Sequence, residues 1–339
     1  MSKIRVAVFG CGAIAQRRHI PEYAANPNVE LVAFADPLKE RAEEVAAQYG
    51  AKAYTDYKEL LKNEKLDAVS VCTPNYLHAS MSIDAANAGL HVLVEKPMAT
   101  TKEEGEQMIE AARKNGVFLM VGHNQRLMPP HMKAKEILDS GKLGRVLTFR
   151  TSFGHGGPES WSVDGRDSWF FRKDEAIMGA MGDLGVHKSD FIRYLLNDEV
   201  VEVAGFIGTV HKEGTDVDDN ATCIVRMKSG AVGTLMASWT HYRSGDNGTV
   251  LWCENGCMKI GTVEGDEVIV ELTNGTVETY KVGAMATNEK QVPSGVIDAF
   301  VESILTNTPP QISGEEGLRS LNVILGAFES QDTGKIVKL

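Results

Sequence analysis

The sequence predicts an α/β protein of two domains: a doubly wound parallel sheet, then an α+β domain with a large, mostly antiparallel open sheet. Three observations predict it. Short apolar runs alternate with helix-patterned segments through residue 122, and strand–helix–strand alternation means a parallel sheet. From about residue 145 apolar side chains recur at every second position, the period of a half-buried strand. The 339 residues also exceed the usual length of one domain. The expected division is 1–122 and 123–339.

In the first domain Ile4–Phe9, Val29–Ala35, Ala68–Cys72, Val92–Val94 and Val117–Val121 read as buried strands. Between them, Pro37–Tyr49 places Ala42, Val45, Ala46 and Tyr49 on one helical face, and Ser82–Ala88 and Lys102–Lys114 behave similarly. Pro129-Pro130 marks a hinge before the next helix. In the second domain Leu147, Phe149, Thr151 and Phe153 share a face, as do Cys223, Val225 and Met227, and Leu235, Ala237 and Trp239. Asn255-Gly256 and Asn274-Gly275 carry the type I′ hairpin signature. Helices are expected at Gly182–Leu196, Ser294–Thr306 and Gly314–Ser330. Helices cover one face of such a sheet and leave the other for a second copy, so a homodimer or homotetramer is expected.

Composition excludes several classes. A net charge of −11 opposes nucleic acid and anionic membranes as partners. No apolar run reaches the roughly 18 residues of a membrane span. Met1–Arg5 runs into a strand without a secretory pattern, and a cytoplasmic protein is expected. Five irregularly spaced cysteines make no disulfide framework, and Cys253 and Cys257 lack further ligands nearby, so no metal is expected. Asp216 to Asn220 begins like a calcium loop, but Ala221 and Met227 stand where glycine and a bidentate glutamate are needed.

The first strand runs into Gly10-Cys11-Gly12-Ala13-Ile14-Ala15, a G-x-G-x-x-A loop that opens a helix. Its first glycine makes the tight turn, its second lets backbone N–H groups approach a pyrophosphate, and the helix N-terminus adds positive dipole. Gly10, Gly12, Ala13 and Ile14 are its candidate cofactor positions. Asp36 ends the second strand, placed to accept hydrogen bonds from an adenosine ribose 2′-OH. A turn or cap aspartate before Pro37 is the simpler alternative. A carboxylate there repels a 2′-phosphate and favours NAD; nearby Lys39 and Arg41 keep NADP open.

Glu95-Lys96-Pro97 follows His91–Val94 and puts an ammonium at the carboxyl end of a buried strand, the edge where open α/β sheets bind ligands. A strand-end lysine snorkelling to water is the bland reading. Thr73-Pro74-Asn75-Tyr76-Leu77-His78 follows Ala68–Cys72. Asp183 and His187 are spaced i, i+4, so on a helix the carboxylate sits beside the imidazole and supports its protonated form. An N-terminal helix aspartate with an unrelated histidine is the alternative. His19, His91, His131, His211 and His241 read as structural or surface histidines.

Together with Gly122-His123-Asn124-Gln125-Arg126, these motifs stand in an order that resembles the glucose–fructose oxidoreductase/inositol dehydrogenase (Gfo/Idh/MocA) family of NAD(P)-dependent oxidoreductases, over nearly the whole chain. The resemblance implies that Lys96, Asp183 and His187 line a substrate pocket beside the nicotinamide of an NAD-binding Rossmann domain. His187 then takes the hydroxyl proton, Lys96 holds the same oxygen, and Asp183 orients His187 or bonds a neighbouring hydroxyl. It further implies that Glu95 bonds Lys96 or the nicotinamide ribose, and that a cis bond precedes Pro97. Thr73, Pro74, Asn75 and His78 are placed at the cofactor, and Arg126 at the substrate.

The family's glycine-rich stretch before the aspartate is replaced here by Ala176-Ile177-Met178-Gly179-Ala180-Met181-Gly182, and these bulky residues are expected to narrow the pocket. Specificity is expected from His155 in Gly154–Glu159, from Trp161, and from Trp169 and Arg172, unless these loops form a subunit contact. The expected activity is hydride transfer between a nicotinamide and a secondary alcohol of a sugar, cyclitol or related polyol. Two alternatives are an NAD-dependent glycosidase, which would cleave an aryl glycoside without net NADH, and a non-catalytic sensor, which has no need of the full constellation.

Overall fold

The computed structural model describes residues 3–262, 267–283 and 293–339. Six strands form an all-parallel sheet: β1 (Ile4–Phe9), β2 (Val29–Ala35), β3 (Lys52–Tyr54), β4 (Ala68–Val71), β5 (His91–Val94) and β6 (Leu119–Val121). Their order is β3-β2-β1-β4-β5-β6. The winding reverses between β1 and β4, and the ligand crevice of a doubly wound sheet opens at that switch point. β4 and β6 are wholly buried, as apolar runs without alternation require. β3 escaped the sequence reading because its three residues are short, polar-started and mostly exposed.

The helix Lys102–Asn115 shows why the pattern sets the ends. Thr101 and Glu104 form a reciprocal capping box, and Gly116 closes the helix at φ 67°. The helix read from Ser82 starts earlier, at Asn75, directly after Pro74.

The second sheet contains β7 (Val146–Gly154), β8 (Val200–Gly208), β9 (Asn220–Met227), β10 (Val232–Ser238), β11 (Thr249–Cys253), β12 (Gly256–Ile260), β13 (Glu267–Leu272), β14 (Val277–Lys281) and β15 (Val337–Lys338). The order is β14-β13-β12-β11-β7-β10-β9-β8-β15, antiparallel except for β7 with β10. β9 alternates strictly: Ala221, Cys223, Val225 and Met227 are buried and Ile224 is exposed. Phe206 of β8 is exposed on the same face as Ile224. The helices Pro129–Asp139 and Val186–Leu196 pack against strands of this sheet.

By packing, the chain divides into two compact units. One is Met1–His123 with Trp161–Asp164 and Pro293–Leu318; the other is Asn124–Ser160, Gly165–Val292 and Arg319–Leu339. The first holds the whole parallel sheet and the second the whole antiparallel one. The first also collects two later segments that a linear division at 122/123 leaves to the second. Among the described residues no helix is long and apolar enough to cross a membrane.

One hairpin differs from its reading. Cys253 pairs with Gly256, so the β11–β12 turn is Glu254-Asn255 and Gly256 belongs to the strand. A Cβ at Gly256 would lie 2.3 Å from the Glu271 carbonyl oxygen in β13, and that crowding is what demands glycine. Gly275 does stand in the β13–β14 turn, at φ 86°. Gly256→Ala should therefore cost about 1–3 kcal/mol by overpacking, and Gly275→Ala about 1 kcal/mol by left-handed strain. Urea unfolding of both variants tests this; a Gly256→Ala protein as stable as wild type would contradict the clash.

Candidate active site

In the first unit the loop after β1 depends on two glycines for different reasons. Gly10 has φ 86°, and a Cβ there would sit 2.6 Å from the Cys72 carbonyl oxygen, where the chain leaving β1 passes the chain leaving β4. At Gly12 nothing lies within 4 Å of an added Cβ, so the loop presents bare backbone to open space. Ala13 is buried, and Ile14 opens a π-helical turn, Ala15–His19, that carries Arg18 and His19 into the interior. Asp36 braces the loop: its carboxylate accepts the Cys11 N–H at 2.9 Å and the Leu38 N–H at 2.9 Å. The turn-aspartate reading of Asp36 is thus realised, and the same side chain fixes the cofactor loop. Arg41 lies 4.0 Å from Asp36 and bonds Asp164 at 2.5 Å, so two acids hold the cation beside it.

At the ends of β4 and β5 the buried polar residues tie loop to loop. Pro74 precedes the helix headed by the buried Asn75. The Thr73 hydroxyl is buried without a hydrogen-bond partner among the described residues. His78 is corrected: it is buried between two loops, with Nδ1 2.8 Å from the Pro97 carbonyl and Nε2 2.8 Å from the Thr73 carbonyl, so the nitrogen that carries the proton donates to one of them instead of facing a cofactor. Burial, opposed by those carbonyls, holds its pKa below the ordinary value.

Lys96 is half-buried and its bond to Pro97 is cis. Beside it, the buried Glu95 carboxylate is 2.8 Å from His19 Nε2 and accepts the Lys96 N–H at 3.2 Å. The chain continues from His19 Nδ1 to the Ser70 hydroxyl at 3.1 Å and on to Tyr23 at 2.8 Å. Gly122 leaves the room, since a Cβ there would approach Glu95 Oε1 to 3.1 Å. Burial pushes the Glu95 carboxyl up, but the His19 bond and the nearby His19, Arg18 and Lys96 outweigh it and bring the pKa to about 2.

In the second unit a π-helical turn, Met181–Gly185, leads into the helix Val186–Leu196. It carries Asp183, whose Oδ2 accepts the Trp239 indole N–H at 3.1 Å; both side chains are buried. His187 follows on the helix, its ring 5.8 Å from that of Phe153. The approach to Asp183 is pinned by Asp218, which accepts the N–H groups of Gly179 and Met181 at 2.7 Å each. A Cβ at Gly179 would lie 1.9 Å from the Asp218 carbonyl oxygen, so only glycine passes. Met178 and Met181 are corrected: both are buried, packed where added carbons at Gly182 and Gly185 would strike them, so they fill the core instead of narrowing a pocket.

The helix is buried nearly all round, so its polar residues need internal partners. Lys188 donates to the Asn247 carbonyl at 3.1 Å, and burial pulls its pKa down to about 7. Asp190 takes the Arg126 guanidinium in a two-pronged pair at 2.8 and 2.6 Å. Arg126, expected at the substrate, thus commits its Nε and Nη2 to a buried acid of this helix. Arg172 likewise bonds Glu175 and the Asp167 carbonyl on the surface. His155 accepts the Gly157 N–H at 2.9 Å and stands edge-on to Phe153 at 5.9 Å. Trp169 stacks on Phe170 at 3.9 Å, and Phe170 and Phe171 both meet Trp239 edge-on. Sequence reasoning gave no partner to Trp239 or Asp218, each of which resembles a core or turn residue until its partner is seen, and it read His19 as structural without its bond to Glu95.

The residues fit a dinucleotide. Gly12 offers open backbone at a helix start, Thr73 an uncommitted buried hydroxyl, and Asp36 a carboxylate at the end of β2. A family described as oxidoreductases with an NAD-binding Rossmann fold matches residues 4–123, and the GFO/IDH/MocA C-terminal domain matches residues 131–259. The chain is 32% identical over 270 residues to levoglucosan dehydrogenase of Pseudarthrobacter phenanthrenivorans, covering 70% of this chain and 68% of the relative. It is 27% identical to scyllo-inositol 2-dehydrogenase (NAD(+)) of Bacillus subtilis, covering 99% and 96%. A solved levoglucosan dehydrogenase in complex with NADH superposes with a TM-score of 0.89 at 25% identity, covering 99% of each chain. The chain belongs to this Gfo/Idh/MocA family of NAD(P)-dependent oxidoreductases.

Two outcomes follow from the geometry. Because the folded pKa of Glu95 lies near 2, below the ordinary 4.5, its stabilisation is complete above about pH 4.5 and lost as pH falls toward 2. That amounts to on the order of 3 kcal/mol, so Glu95→Gln should flatten the acid limb of Tm against pH; an unchanged slope would disprove the pairing. Ile177 is a β-branched residue held at φ 64° beside the Asp183 segment. Ile177→Gly should relieve about 1 kcal/mol or more of backbone strain while lowering kcat by loosening that segment, measured by urea unfolding and initial rates.

Proposed function

We propose that this family member oxidises a secondary alcohol of a cyclic sugar, cyclitol or related polyol with NAD as hydride acceptor. The observation that carries the reading is Asp183: a buried carboxylate, fixed by Trp239, four residues ahead of His187 on one helical path. The names of the relatives, levoglucosan dehydrogenase and scyllo-inositol 2-dehydrogenase, support the substrate class.

NAD supplies the hydride acceptor when bound. In this reading His187 removes the hydroxyl proton as the carbonyl forms, and Asp183 stabilises the imidazolium that results. Lys96 donates a hydrogen bond to the same oxygen and offsets the charge developing there. Glu95 keeps the strand end fixed and lies close enough to offset part of the Lys96 charge. Asp36 favours the unphosphorylated ribose, because Arg41 is already claimed by Asp164. The exposed Phe206 and Ile224 support a homo-oligomer formed through the antiparallel sheet.

The test is NADH formation from cyclitols, aldoses and glycosides with NAD and with NADP. Lys96→Met and His187→Asn should each lower kcat by about 10²–10⁴-fold with the Kd for NADH unchanged. Turnover that survives either change removes that residue from the mechanism, and no turnover with any polyol removes the substrate class.

A further inference from the structure

We infer that the second unit carries a separate saccharide subsite, a cavity of about 250 Å³ that takes a neutral pyranose ring as the second ring of a glycoside or disaccharide. The inference rests on the dehydrogenase reading above for the fate of the first ring, but the cavity stands on its own geometry. Phe171, Tyr242, Lys212, Glu159, Arg166 and Glu213 line it.

The chemistry of that lining selects the ligand. Two cations and two acids balance, so a phosphate or carboxylate gains no net attraction, whereas hydroxyl groups find both donors and acceptors. Tyr242 is a large aromatic left 54% exposed, with the His211 ring edge-on to it at 5.4 Å. An aromatic face beside charged hydrogen-bonding groups matches the two sides of a pyranose, its C–H face and its hydroxyl rim.

The site is built. The Lys212 ammonium bonds Glu159, the Gly156 carbonyl at 2.8 Å and the Tyr242 hydroxyl at 3.4 Å, and it lies 5.2 Å from the Tyr242 ring centre. The turn beneath it is held by the fully buried Asp219, whose carboxylate accepts the N–H groups of Val210, His211 and Lys212 at 2.8, 2.9 and 2.7 Å. Its position also fits a second ring. Phe171 in the cavity wall meets Trp239 edge-on at 5.9 Å, and the Trp239 indole holds Asp183. One layer of aromatic rings therefore separates the cavity from the carboxylate assigned to catalysis.

Saturation-transfer NMR on the full chain with NADH, using maltose, cellobiose and glucose, reads the cavity directly. Transfer to the second ring of at least one disaccharide is expected, lost in Tyr242→Ala at unchanged Tm, retained in Tyr242→Phe, and unaffected by excess inorganic phosphate. For that disaccharide, Tyr242→Ala should raise KM roughly ten-fold and leave kcat and the KM for glucose unchanged. No transfer to any disaccharide, transfer indifferent to Tyr242→Ala, or displacement by phosphate overturns the subsite. Transfer that depends on Tyr242 without NADH formation from any sugar keeps the subsite and removes the dehydrogenase reading instead.

Discussion

An ionised carboxylate stays buried in a protein only where hydrogen-bond donors replace its water, and that constraint shapes the working edge of each unit. In the first, Asp36 is satisfied by the Cys11 and Leu38 N–H groups and so fixes the cofactor loop. Glu95 is satisfied by His19 and the Lys96 N–H, and so fixes the strand end that bears the lysine. In the second, Asp218 holds the segment before Asp183, Asp219 holds the turn before Lys212, and Asp190 locks Arg126. Each acid has few ways to be satisfied, so each removes conformations that a loop would otherwise sample.

The fold was legible because two periods dominate the sequence. Continuous apolar runs mark the parallel strands, and strict alternation marks strands such as β9. β3 was illegible because an exposed three-residue edge strand has no pattern to show. Gly256 misled because a glycine after asparagine signals a turn, while the reason for it here is the Glu271 carbonyl of another strand. The site divides along the same line. Gly10, Lys96, and Asp183 with His187 are singled out by residue type and local spacing, while the roles of the last three come from the family resemblance. The partners that hold them are not singled out this way: Trp239 is 56 residues from Asp183, His19 is 76 from Glu95, and Asp218 is 39 from Gly179. Arg126 and His78 show the converse, since residue type reveals hydrogen-bonding capacity but not which neighbour claims it.

Asp218 and Asp219 are adjacent in sequence, and in the second unit they hold two different stretches of backbone. The first carboxylate faces the segment that carries Asp183, and burial lifts its pKa to about 6 against the N–H groups it accepts. The second organises the turn carrying His211 and Lys212. Because the backbone of that turn is held by a buried acid, the side chains it presents can change without moving the frame, which is how a rigid scaffold supports variable loops. The strained Ile177 makes the same point from the other side. A left-handed β-branched residue persists only where its surroundings over-determine it, and here the Asp218 bonds to Gly179 and Met181 stand within four residues of it. The carboxylates thus set the backbone first, and the groups assigned to chemistry inherit their positions from it.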